Sequence, residues 1–161
     1  MSAPSFDQLL ARLVQAEVRF VVVGGLALGS WGVVRGTKDC DIVPDPALEN
    51  LETLSRLVVE LGGHVQMGES LLGSERSIAA LLRSGERALI ATRLGDLDVV
   101  QGLDGVLSYA ELRAGAIDVE MAGVTIAICA LEHLRAMKRA AGRPRDLVDL
   151  DDLDAAQPGR D

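Results

Sequence analysis

Phe20-Val21-Val22-Val23-Gly24-Gly25, followed after thirteen residues by Asp39-Cys40-Asp41-Ile42, is the stretch on which the fold turns. Phe20 to Val23 is a run of β-formers with no polar interruption, which reads as a strand buried on both faces. The glycine pair ends it and lets backbone N–H groups approach an anion without interference from a Cβ. Side chains alternate along a strand, so Asp39 and Asp41 project to one face while Cys40 and Ile42 project to the other. Two carboxylates about 7 Å apart, twice the strand rise of about 3.3 Å, can close on ions between them. Hard oxygen ligands of this kind suit Mg²⁺. A third acid lies in Leu97-Asp98-Val99-Val100, inside an apolar strand where an unpaired charge is expensive. Asp96 shares its face but sits nearer the turn at Gly95, so Asp98 is the preferred ligand. Taken singly, the glycine pair also reads as a turn, the two aspartates as a solvated edge, and Asp98 as an arginine's partner. The combination points to a site.

Working outward, residues 7–16 carry Leu9, Leu10, Leu13 and Val14 at helical spacing. Residues 18–23 form the strand, 26–31 a short helix, and 35–43 a second extended segment. Asp45-Pro46 reads as a helix start, with Leu48, Leu51, Leu54, Leu57, Val58 and Leu61 on one stripe and Gly62-Gly63 as the stop. Residues 64–77 read as loop with a short strand. Residues 86–92 and 97–100 follow as strands, 104–114 as a helix, and 117–121 with 124–129 as a hairpin. Residues 131–141 form a helix stopped by Gly142. Pro144 opens the last one, with Leu147, Leu150 and Leu153 inward. This order predicts an α/β (α+β) fold, a mixed twisted sheet flanked by helices, in one domain over residues 1–156. Residues 157–161 are expected to be a frayed polar tail.

The 161 residues carry 16 Lys and Arg against 24 Asp and Glu, a net charge of −8. With 48% hydrophobic residues the chain can bury a core, which excludes general disorder. Only 2% are aromatic, too few for base stacking as the main activity, and the acidity argues against a nucleic-acid-coating surface. Trp31 and Tyr109 read as packing residues. Cys40 and Cys129 read as buried free thiols, which fits a reducing cytoplasm. No signal peptide is visible in the first five residues, and no apolar run approaches the roughly 20 residues of a membrane span.

At these residues the chain resembles the nucleotidyltransferase superfamily, whose signature is Gly-Gly or Gly-Ser followed by Asp-x-Asp. Arg35-Gly36-Thr37-Lys38-Asp39-Cys40-Asp41 and the segment from Leu131-Glu132-His133-Leu134 through Lys138 to Arg143-Pro144-Arg145-Asp146-Leu147 are most similar to its AbiEii-like branch. That branch includes toxins of type IV toxin–antitoxin systems. The resemblance spans residues 18–153. It implies a nucleotidyltransferase fold and metal-dependent transfer of a nucleoside monophosphate from an NTP to an acceptor hydroxyl. Asp39, Asp41 and Asp98 would be the catalytic, metal-binding set for Mg²⁺ or Mn²⁺. Gly24, Gly25, Arg35 and Lys138 would hold the nucleotide. Gly25 stands where many relatives have serine, so Ser30 is the candidate for the missing hydroxyl.

Arg143 and Asp146 are secondary candidates, although Asp146 also suits the first turn of a helix. Asp149, Asp151, Asp152 and Asp154 read as a solvated face. The acceptor is left open between an RNA end, a protein and a small molecule, and a cognate antitoxin is the partner the branch implies. The basic cluster from Arg135 to Arg145, on so acidic a chain, confines any RNA contact to an end held near Arg143 and Arg145. The alternative is a catalytically silent nucleotide-binding or protein-interaction module on the same fold.

Overall fold

The fold is taken from a computed structural model that describes residues 4–160; the tail residue Asp161 and the first three residues lie outside it. In chain order the elements are α1 (Phe6–Gln15), β1 (Phe20–Val23), α2 (Gly24–Ser30), β2 (Asp39–Pro44), α3 (Leu48–Glu60), β3 (Val65–Met67) and β4 (Ser70–Leu72). There follow α4 (Glu75–Arg83), β5 (Ala88–Thr92), β6 (Gly95–Val99), α5 (Tyr109–Gly115), β7 (Ile117–Met121), β8 (Val124–Ile128), α6 (Leu131–Ala141) and α7 (Pro144–Ala156). Six strands form a mixed sheet in the order β5-β6-β2-β1-β8-β7, and β3 and β4 pair in a small separate hairpin. The α/β expectation of a mixed sheet flanked by helices holds.

The apolar run of β1 occupies the middle of this sheet, and all four of its residues are buried. It pairs antiparallel with β2 and parallel with β8. β2 in turn lies parallel to β6, with Asp39 opposite Asp96 and Asp41 opposite Asp98. The alternation read from the sequence appears directly: Cys40 and Ile42 are fully buried in the core while Asp39 and Asp41 are partly open on the other face. α2 packs on β1 and β2, α1 on β8 and α5 on β1; α3 pairs with α4 and α6 with α7. Among the described residues no helix is long and apolar enough to cross a membrane.

Several boundaries differ from expectation, each for a local reason. α2 begins at Gly24 itself, so the glycine pair opens the helix instead of preceding it. β2 begins only at Asp39, and residues 35–38 are irregular. α3 starts at Leu48 because the Asp45 carboxylate accepts the Ala47 N–H at 3.0 Å and holds a turn there. The helix expected over 104–114 is confined to Tyr109–Gly115, since Gly102 and Gly105 take left-handed φ values of 67° and 80°. Ser108 then caps α5 by accepting the Glu111 N–H at 3.2 Å.

The segment read as loop contains a complete hairpin and leads into α4. There Ser74 caps the helix and Ile78, Leu81 and Leu82 are buried. In α7 the buried side is Asp146, Asp149 and Leu153; Leu147 is exposed, so the helix is rotated from the face the leucines suggest. The tail is not frayed as far as Arg160. Gln157 donates to the Trp31 carbonyl at 2.9 Å, and the Arg160 guanidinium stacks over the Trp31 ring, 5.6 Å from its centroid.

Candidate active site

β1 ends with Val23 opposite Asp41, and the chain turns at once into Gly24. Gly24 has φ +65°, and a Cβ there would sit 1.9 Å from Asp41 Oδ2. A Cβ on Gly25 would sit 2.6 Å from Thr37 Oγ1, whose hydroxyl donates to the Asp39 carbonyl at 2.9 Å. Both glycines are therefore places where the backbone closes on the acidic strand and a side chain would push it away. This is a steric reason for the pair that does not depend on any ligand.

The parallel register of β2 and β6 brings Asp98 beside Asp41, and Asp39 completes a trio in which one carboxylate oxygen from each residue lies within 4.8 Å of the other two. Asp98 is 3% exposed, the other two partly so. Like charges at that separation repel by roughly 3 kcal/mol per pair at an effective dielectric near 20. The proton affinities respond. Burial, then Asp98 and Asp39, push the Asp41 carboxyl up to about 7, against the opposing pull of the Gly25 N–H. Asp39 is raised by burial and by Asp98 and Asp96, with Arg87 and Lys38 acting the other way. Three hard oxygen donors this close together form a donor set matched to a divalent cation.

Asp98 does have a protein partner. Arg87, just before β5, donates from Nε to Oδ1 at 2.9 Å and from Nη2 to Oδ2 at 2.5 Å. Sequence reasoning passed over Arg87, although it weighed an arginine partner for Asp98. The antiparallel β5–β6 register pairs Leu89 with Asp98, which makes Arg87, two residues earlier, a diagonal same-face neighbour of the carboxylate.

The trio lies in a cleft of about 690 Å³ that is also lined by Gly24, Gly25, Arg35, Lys138, Arg143 and Asp146. Ser30 is not brought there. Its hydroxyl donates to the Leu26 carbonyl of its own helix at 3.3 Å, a bond that ties it to α2. Arg35, Lys138 and Arg143 are at the cleft but already engaged. Lys138 Nζ reaches Asp149 at 2.8 Å and Asp146 at 3.4 Å, Arg35 pairs with Asp149, and Arg143 Nε reaches Asp146 at 2.7 Å.

Asp146 also accepts the Arg143 N–H at 3.1 Å, the cap its helix position suggests. Burial pushes its carboxyl up, and the hydrogen bonds and charges of Arg143 and Lys138 outweigh that and hold it below the ordinary range. Asp149, expected on a solvated face, has no exposed side-chain surface. Its three-residue spacing from Asp146 along α7 puts both carboxylates on one side of the helix.

Arg135 and Arg139 do not line this cleft; they border a second hollow near Arg160. Arg135 is buried and tied to Asp154 at 3.1 Å and to the Arg160 carbonyl. Arg145 does line the main cleft. Trp31 packs in the core and donates from Nε1 to the Cys129 carbonyl at 3.0 Å. Both thiols are free and buried, and burial pushes each up to about 12, which leaves them unreactive.

No protein-family model matches the chain, and no curated protein sequence matches it. Solved structures do. A candidate nucleotidyltransferase from Thermotoga maritima is 18% identical, with 91% of this chain and 88% of that one covered and a TM-score of 0.58. The antibiotic-resistance factor ANT(2'')-Ia is 16% identical over 94% of this chain and 81% of its own, with a TM-score of 0.60. Lincomycin-bound LnuA, a lincosamide antibiotic adenylyltransferase, is 12% identical over 94% and 96%, with a TM-score of 0.63. The chain has the fold of nucleotidyltransferases along nearly its whole length.

Proposed function

We propose that this chain transfers a nucleoside monophosphate from an NTP to a hydroxyl of a small-molecule acceptor, with release of pyrophosphate. The observation that carries the reading is the convergence of Asp39, Asp41 and Asp98 on one another beside Gly24-Gly25. Their donor set fits divalent cations, and Asp39, Asp41 and Asp98 would hold them. Bound Mg²⁺ supplies Lewis-acid stabilisation of the charge on the transferring phosphoryl group and of the attacking and leaving oxygens. The acceptor oxygen forms a bond to the α-phosphorus while the bond from that phosphorus to the oxygen bridging to the β-phosphate breaks. The pair of electrons leaves with pyrophosphate. The hydroxyl proton passes to a carboxylate oxygen of Asp98, within the trio, and from there to water.

The other residues bind and orient. Gly24 and Gly25 offer a backbone surface that a phosphate can approach without meeting a side chain. Lys138 and Arg35 supply positive charge to the same cleft, Lys138 held by Asp149 and Asp146 and Arg35 by Asp149. Arg143 and Arg145 lie on the same cleft, so a charge reversal there acts on nucleotide and acceptor alike.

The cleft volume is of the size that encloses a small ligand. The structural neighbours whose names specify an acceptor are antibiotic-modifying proteins, one solved with lincomycin and another with adenylyl-2''-tobramycin. Nothing in the cleft favours an antitoxin or a long RNA over these. The test is incubation with each of the four NTPs labelled at the α-phosphate, Mg²⁺, and a panel of polyhydroxylated small molecules and RNA ends. Labelled acceptor and pyrophosphate are expected from wild type, and neither from folded D39N or D41N. Nucleotide turnover by those variants equal to wild type overturns the reading.

A further inference from the structure

We propose that Arg87 is the resident counter-ion of the carboxylate trio, that it limits the nucleotide-free site to one divalent cation, and that it competes with a second for Asp98. The inference rests on the metal-binding reading of Asp39, Asp41 and Asp98. It begins from the fork: Arg87 takes both oxygens of Asp98, at 2.9 and 2.5 Å, in the strongest geometry an arginine and a carboxylate form. Asp98 is nearly fully buried while half of the Arg87 side-chain surface is open to solvent. The carboxylate is therefore fixed by its strand, and the guanidinium is the partner free to leave.

Its reach extends past Asp98. The positive charge of Arg87 also acts on Asp39 and Asp41. Lys38 and Asp96 act on Asp39 with opposite signs. Lys138, Arg35 and Arg143 are paired with Asp146 and Asp149, and among the described residues Arg87 is the cation that pairs directly with the trio. Three carboxylates and one guanidinium leave two negative charges, which one divalent cation cancels. A second ion leaves an excess of two positive charges while Arg87 stays and of one if Arg87 withdraws, and nucleotide phosphates arriving with the ion remove the excess.

Arg87 also occupies one lone-pair direction on each Asp98 oxygen, so an ion drawing on the same carboxylate meets a donor already in place. The role is that of a positioning residue. It holds the Asp98 carboxylate in one orientation in the ion-free site, and it couples occupancy of the second ion site to the nucleotide. Lysine is a poor substitute, because an ammonium is a point charge without the planar fork.

The test counts Mn²⁺ bound in the absence of nucleotide, by electron paramagnetic resonance of the free ion during titration. Wild type is expected to bind one ion and Arg87→Ala two, with the double variant R87A/D98N returning to one. Thermal unfolding gives a second readout: ion-free R87A melts at least about 5 °C below wild type, and saturating Mn²⁺ narrows the gap. Should R87A fail to fold, Arg87→Lys carries the test, with the second ion binding at least tenfold more tightly than to wild type.

One ion in both wild type and R87A, or unchanged second-ion affinity in the lysine variant, overturns the role of Arg87 and leaves the metal reading intact. No Mn²⁺ bound to any of the proteins overturns both.

Discussion

Asp149→Asn isolates the charge network that holds the basic wall of the cleft. The side chain is fully buried and accepts from Lys138 Nζ at 2.8 Å and from Arg35. Asparagine keeps the volume and one acceptor oxygen but removes the charge shared by two cations. Breaking a buried pair by deleting one partner costs about 3–5 kcal/mol, because the surviving charge is left uncompensated. Two features of the structure reduce that figure. Lys138 keeps Asp146 at 3.4 Å, and the Arg35 side chain, 30% exposed, can turn to water. The expected loss is therefore about 3 kcal/mol, a large part of the roughly 5–15 kcal/mol that stabilises a typical domain.

For a chain of this length the change lowers Tm by about 6–12 °C. It is to be measured by circular dichroism in heat and in urea. Asp151→Asn, on the exposed side of the same helix, is the matched control and should change stability by less than about 0.5 kcal/mol. The same variant frees positive charge at the nucleotide wall, so NTP affinity measured by calorimetry rises in D149N at low salt. D149N as stable as D151N, with unchanged nucleotide affinity, refutes both the energetics and the idea that Asp149 restrains Arg35 and Lys138.

Gly24→Ala forces a Cβ to 1.9 Å from Asp41 Oδ2 at a positive φ, so Mn²⁺ affinity and transfer should each drop at least about 100-fold. Gly29→Ala, in the same helix with open space around it, should be neutral or up to about 1 kcal/mol stabilising in urea unfolding. Because the folded Asp41 carboxyl is raised to about 7 from 3.8, its contribution to stability is present at low pH and is lost as pH climbs through about 4 to 7. Ion-free wild type should lose stability across that window relative to D41N, while its apparent Mg²⁺ affinity falls up to about tenfold per pH unit below 7, as calorimetry in buffers of different ionisation enthalpy would show. Cys40 and Cys129 should react with a thiol reagent only as fast as the chain unfolds; prompt labelling of the native protein contradicts their burial.

What was legible in the sequence was whatever one strand or one helix determines alone. The uninterrupted Phe20–Val23 run could only be a central strand, and the alternation from Asp39 to Ile42 decided which side chains of β2 face the core. The failures come where a local signal lost to a neighbour's demand. Asp45-Pro46 looks like a helix start, yet the Asp45 carboxylate is taken by the Ala47 N–H at 3.0 Å and by Arg19 at 2.8 Å, and the helix waits until Leu48. α4 was missed because its cap, Ser74, follows a glycine-rich hairpin that masks the Ile78-Leu81-Leu82 spacing. Leu147 and Leu153 cannot both face inward. Lys138 and Arg143 recruit Asp146 and Asp149 to the buried side of α7, and Leu147 is turned out.

The same reasoning separates what composition says about the cleft from what the cleft does. Counting Arg35, Lys138, Arg143 and Arg145 as free phosphate-binding charge follows from their positions in the chain. The structure places a buried carboxylate against each of the first three. A surface at net −8 would repel a polyphosphate, and unpaired cations could offset that only by remaining mobile and hydrated. Cations clamped by Asp146 and Asp149 are instead held at set positions, and their side-chain ordering is already complete before a ligand arrives. The acidic trio is treated in the opposite way: it is left with one half-exposed guanidinium and two carboxyls that resist ionising. One wall is neutralised by its own side chains and the other is held short of counter-charge. A ligand that brings both a divalent cation and a chain of phosphates is the one that relieves the second wall without undoing the first.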